Sequence, residues 1–235
     1  MASVLIPSSG KLHTPRPLLV ELAGPAGAGK STLSTALVRR ADGKLATIWG
    51  LPVVPLLVNG VQLVPTFGGL CLHSKSLLWS ETRHMVRLQT LQRSLRNGNR
   101  RGEEVLVFDE GPVFAMAWLR GFGHRTLREQ PSAEWWQTAL REWASLIDAV
   151  VVLDAPDQLL AQRIRTRPHE HEVKGFPDHE IVRWMARFRE ALDWVLTGMT
   201  RQGGPVVMRL SSEEQSAERI AETLMEELSG SRHVR

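Results

Sequence analysis

Short apolar runs alternate with segments of helical period along most of the chain. Pro17–Ala23 (PLLVELA), Glu104–Phe108 (EVLVF), Ala149–Leu153 (AVVVL) and Pro205–Leu210 (PVVMRL) are apolar or β-branched stretches short enough to be buried strands. Between them lie helical patterns. One follows the first strand from about Lys30 to Arg40, and another, from about Ser74 to Arg96, carries Leu77, Leu78, Met85, Leu88, Leu91 and Leu95. Trp136, Leu140, Trp143 and Ile147 share one helix face opened by Pro131. A helix from Pro156 runs into a cluster of arginines, and Ile181, Met185, Phe188, Leu192 and Val195 mark the next. Ser212 with Gln215 reads as a capping box before a last helix with Ile220, Leu224 and Leu228 on its apolar face. Strands that alternate with helices predict an α/β fold of three layers, a parallel sheet covered on both faces. Residues 44–72 are rich in Val, Leu, Pro and Gly, and their pattern does not separate strands from short helices. Residues 1–16 read as a loose arm, and with no repeat or long linker the chain is expected to be one domain, 1–235.

The loop after the first strand carries the clearest chemistry. Gly24-Pro25-Ala26-Gly27-Ala28-Gly29-Lys30-Ser31 completes the G-x-x-x-x-G-K-[ST] pattern of a P-loop, set between a strand and a helix as its mechanics require. Glycines here let consecutive N–H groups turn toward an anion, and the helix N-terminus adds a favourable dipole. The expected ligands are ATP and Mg2+. Gly24, Ala26, Gly27, Ala28, Gly29, Lys30, Ser31 and Thr32 would wrap the phosphates, with Lys30 on the β- and γ-phosphates and Ser31 on the metal.

Charge refines this reading. The formal net charge is +4, with arginines crowded into 83–101, 120–128 and 163–189. A basic cleft for polyphosphate accounts for that distribution, and no nucleic-acid motif is present, so nucleic acid is not the expected partner. Neither the [NT]-K-x-D and D-x-x-G motifs of a GTPase nor an L-S-G-G-Q-like signature occurs, which favours a small kinase. Arg163, Arg165 and Arg167, followed by His169, His171 and Lys174, supply cations that the P-loop itself lacks, since Lys30 is its only one. A lid over about 163–177 would bring them onto the transferring phosphoryl group and exclude water. Residues i and i+4 share a helix face, so Arg163 and Arg167 are the expected nucleotide contacts and Arg165 the odd one out. The other reading of this cluster is a solvated basic helix end.

Carboxylates and rings complete the candidate set. Asp109 ends an apolar strand beside the P-loop and suits Mg2+; Glu110 could accept a proton from the acceptor. A surface turn is the plain alternative for Asp109-Glu110-Gly111. Glu81 falls in the apolar stripe of its helix with His84 at the edge, and substrate-facing and structurally paired readings both stand. Trp136 and Trp143 sit at core spacing, whereas Trp79 or Phe67 could stack on an acceptor ring. The single cysteine, Cys71, and the absence of a long apolar stretch lead to the expectation of a cytoplasmic protein without a membrane anchor; a homodimer is left open.

LVELAGPAGAGKSTL, VLVFDEG and VVVLDAPDQLLAQRIRTR, in that order, resemble the thymidylate-kinase and deoxynucleoside-kinase branch of P-loop kinases over about 18–33, 105–111 and 149–175. The resemblance implies a sheet of about five parallel strands, ATP and Mg2+, and an acceptor bound between the 74–97 helix and the lid. Those families carry Asp-Arg or Glu-Arg-Ser where this chain has Asp109-Glu110-Gly111, and residues 43–80 hold no carboxylate. The missing arginine disfavours a monophosphate acceptor relative to a hydroxyl on a nucleoside-like or other metabolite. A nucleoside monophosphate kinase and a non-transferring regulatory ATPase are the alternatives.

Overall fold

The computed structural model describes residues 17–41, 44–48, 79–97, 105–128, 132–168, 171–213 and 215–232, with Leu56 and Gly68 as isolated positions. Its strands are β1 (Leu18–Ala23), β2 (Lys44–Ala46), β3 (Val105–Asp109), β4 (Ala149–Asp154) and β5 (Val206–Ser211). Its helices are α1 (Lys30–Ala41), α2 (Trp79–Asn97), α3 (Pro112–Phe122), α4 (Ala133–Ala144), α5 (Asp157–Thr166), α6 (Asp178–Thr200) and α7 (Ala217–Arg232), with a 3₁₀ turn at Arg125–Arg128. All five strands are parallel, in the order β2-β3-β1-β4-β5. The chain therefore has the three-layer P-loop NTPase fold.

Period-two alternation sorts the sheet's side chains between two cores. Leu19, Leu106, Phe108, Val150 and Val152 face α2, α3, α4 and α6, while Val20, Leu22, Val105, Val107, Val151 and Leu153 face α1, α5 and α7. β1, β3 and β4 are buried on both sides, which explains why they read as unbroken apolar runs. One residue breaks the pattern. Glu21, in the middle of β1, has no solvent exposure.

Trp136 and Trp143 are buried in the first core, as their spacing indicates, and Ile147 follows them just beyond α4. The 44–72 region contributes the short edge strand β2; most of the rest of it, with Phe67 and the proposed first turn of α2 at 74–78, lies outside the described residues. The capping box is displaced. α7 begins at Ala217, and Ser216, not Ser212, accepts the backbone N–H of Arg219 (3.3 Å) and of Ile220. Among the described residues no helix is long and apolar enough to cross a membrane.

Candidate active site

β1 delivers the loop 24–29 to the N-terminus of α1. Gly24, Gly27 and Gly29 have φ of 133°, 81° and 90°, a region only glycine occupies at low cost. At Gly24 the demand is also steric, since a Cβ would lie 2.0 Å from the Leu153 carbonyl oxygen. Lys30 Nζ donates to the carbonyls of Gly24 and Pro25, both at 2.9 Å, so the side chain curls back over its own loop. Burial lowers the Lys30 pKa, and the neighbouring Asp109 and Glu110 oppose that shift. Ser31 and Thr32 are exposed at the start of the helix.

A cleft of about 880 Å³ opens from this loop. Gly24, Ala26–Thr32, Asp109, Glu110, Arg163 and Arg167 line its phosphate-facing end. The other end is made of rings. His84 from α2, Phe114 and Trp118 from α3, Trp184 and Phe188 from α6, and His171 from the segment before α6 all line it, with Glu172 beside them. His84 stacks on Trp118 at 4.4 Å, Phe122 on Trp184 at 4.8 Å, and His171 meets Trp184 edge-on at 5.3 Å. Burial lowers the pKa of both imidazoles, which favours their neutral form. At His84 the Ser80 carbonyl, which accepts from Nδ1 at 2.8 Å, opposes the shift; at His171 the nearby Arg167 and Lys30 add to it. Glu172 is pushed upward by partial burial, against a hydrogen bond from the Trp184 indole.

Asp109 and Glu110 stand at the C-terminal edge of β3. Glu110 has φ 54°, the one non-glycine residue with positive φ among those described, and its carbonyl accepts the Ile48 N–H at 3.4 Å. A left-handed backbone at a residue facing a cleft is the kind of local cost that function retains.

The arginine cluster is arranged differently from the helical-face expectation. α5 stops at Thr166, and Arg167 is extended (φ −64°, ψ 143°), as the following Pro168 requires. Arg163 and Arg167 both line the cleft, but not through a shared helix face. Arg163 lies within the body of α5. Its guanidinium donates to the Gly27 carbonyl (3.2 Å) and to Ser212 Oγ (2.9 Å) and O (3.3 Å), tying the P-loop to the end of β5. Arg165 pairs instead with Asp178 at 2.7 Å. His169 lies outside the described residues.

Glu81 is occupied elsewhere. Its carboxylate accepts the backbone N–H of His124 and the Ser80 hydroxyl, both at 2.9 Å, which matches the structurally paired reading. Trp79 is 64% exposed and stands outside the cleft lining.

Three features escape sequence reasoning. The wall formed by Phe114, Trp118 and Trp184 has the same composition as core helix. Arg189, on α6, grips Asp154 at 2.8 Å through two bonds and Asp157 at 2.6 Å, fastening α6 to the end of β4. Glu21 accepts the backbone N–H groups of Val113 and Phe114, each at 2.8 Å, so a carboxylate on β1 caps α3. Its one available signal was a charge inside an apolar run.

No family model matches the chain, and no curated protein matches it. Solved structures do. Deoxyadenosine kinase from M. mycoides, with bound products, is 13% identical, aligns over 91% of this chain and 100% of its own, and gives a TM-score of 0.54. The YorR protein from Bacillus subtilis, in complex with phosphorylated GDP, is 15% identical over 92% and 98% of the two chains, with a TM-score of 0.53. Shikimate kinase from Bacteroides thetaiotaomicron is 16% identical over 90% and 98%, with a TM-score of 0.50. At these identities the likeness shows the fold alone, the three-layer P-loop NTPase fold.

Proposed function

We propose that the chain is an ATP- and Mg2+-dependent phosphotransferase that moves the γ-phosphoryl group to a hydroxyl of a small acceptor, nucleoside-like or another metabolite. The observation that carries this reading is one cleft lined both by a P-loop, with Asp109 and Glu110 beside it, and by a wall of rings. An ATPase without an acceptor gains nothing from such a chamber. The solved structures named above as kinases support the same reading at the level of fold.

In this reading the 24–32 loop binds the triphosphate, and Lys30 meets charge on its outer oxygens. Ser31 and Asp109 have the hard oxygen donors that suit Mg2+, and both line the cleft. The metal supplies charge neutralisation at the phosphates. The acceptor oxygen forms a bond to the γ-phosphorus as the bond to the β-phosphate bridging oxygen breaks. The hydroxyl proton passes to the Glu110 carboxylate and ADP leaves with the electron pair. Arg163 and Arg167 face the nucleotide, and the segment of about 163–177 that carries them is the lid that limits hydrolysis.

Lys30→Ala tests the reading. The change removes a phosphate contact and no core packing, so a folded variant should lose transfer and bind ATP more weakly by calorimetry. Undiminished turnover by that variant would end the phosphotransferase reading.

A further inference from the structure

The first turn of α3 has a complete hydrogen-bond account. Pro112 has no N–H, Val113 and Phe114 donate to the two oxygens of Glu21, and Ala115 donates to the Gly111 carbonyl at 3.0 Å. Gly111, at the N-cap, offers no side chain for the purpose. The anchor therefore comes from the neighbouring strand, at a residue with no solvent exposure. The same carboxyl group decides what residue 111 can be. Its φ of −88° suits any amino acid, yet a Cβ there would lie 2.7 Å from Glu21 Cδ, 2.8 Å from Glu21 Oε2 and 2.7 Å from Phe108 Cβ. The glycine is required by space and not by backbone angle.

Both sides of this helix start reach the cleft. Immediately upstream of Gly111 stands Glu110, with its left-handed backbone. Downstream, the fixed helix start sets the rotation of α3, from which Phe114 and Trp118 reach the chamber.

We propose that Glu21 is a positioning residue for phosphoryl transfer. Its carboxyl group, through the start of α3, aligns Glu110 and the ring wall. This rests on the phosphotransferase reading.

Two measurements on the full chain test it. In Glu21→Gln one amide N–H of α3 faces an NH2 group, so exchange at Val113 or Phe114 should quicken about tenfold or more, while α6 amides stay unchanged. Basal ATP hydrolysis should fall by a similar factor, with the Kd for ATP within about twofold, a split that general destabilisation does not give. Wild-type exchange at both amides, or wild-type hydrolysis, in Glu21→Gln would overturn the proposal. ATP affinity and its loss in Lys30→Ala are read separately, so either reading can fail without the other.

Discussion

Replacing Arg163 by alanine separates a cation that serves the transition state from one that builds the loop. The side chain lies within α5 and makes three hydrogen bonds, to Gly27 O, Ser212 Oγ and Ser212 O. The bond to Ser212 Oγ is short at 2.9 Å, whereas those at 3.2 and 3.3 Å are near the weak end of the range. One good bond from a charged donor and two marginal ones, on a partly exposed side chain, amount to about 1.5–3 kcal/mol. Arg163→Ala should therefore lower stability by about that amount in urea denaturation. It should also raise KM for ATP, because the Gly27 carbonyl loses its external tether and the loop its fixed shape. A kcat effect should accompany both if the guanidinium also meets the γ-phosphate. Arg165→Ala is the control, since its partner Asp178 is 64% exposed, and the loss should stay within about 1 kcal/mol. An Arg163→Ala protein with wild-type urea midpoint and unchanged KM for ATP would refute the tether.

Asp109→Asn should reduce turnover by orders of magnitude and respond to added Mg2+, while Glu110→Gln should cost roughly 10²–10⁴ in kcat without metal rescue; near-normal rates in both would remove this pair from the reaction. Arg189→Met strands Asp154 and Asp157, both partly exposed, and should cost about 1–3 kcal/mol with α6 loosened at its contact with β4, read by hydrogen exchange. Burial, with a smaller push from the charge on Asp109, moves the Glu21 carboxyl up from near 4.5 to about 8, against hydrogen bonds from the Val113, Phe114 and Gly111 amides. A folded-state pKa above the unfolded one makes this contribution complete below about pH 4.5 and lost as pH rises through about 8, a span worth up to roughly 5 kcal/mol. Wild-type stability relative to Glu21→Gln should thus decline between pH 5 and 9, and a flat difference would show that Glu21 titrates normally.

The legible parts of the sequence were those whose chemistry is local. The P-loop announces itself because glycine, lysine and serine must stand at fixed offsets, and β1, β3 and β4 because burial on both faces leaves, Glu21 apart, no polar position inside them. Asp109 and Glu110 were visible as charges at the end of such a run. The acceptor chamber was not, because α3 (PVFAMAWLRGF) is apolar nearly all round and a ring facing a cleft has the same letter as a ring facing the core. Glu81 was ambiguous for another reason, since its distant partner is the backbone N–H of His124, which carries no side-chain signature. Arg163 and Arg167 reached one cleft by a route that helical periodicity did not describe, because Pro168 ends the helix before Arg167. Ser212 resembled a cap by spacing alone, and the structure gives it to Arg163.

The most direct test of phosphoryl transfer is to follow the phosphorus. The protein would be incubated with γ-labelled ATP, Mg2+ and a library of hydroxyl-bearing metabolites, and the label separated by chromatography. The account predicts label on an organic acceptor, above the label released as inorganic phosphate, and none on that acceptor with Lys30→Ala. Label found solely as inorganic phosphate across the whole library, at a rate no acceptor changes, would contradict it.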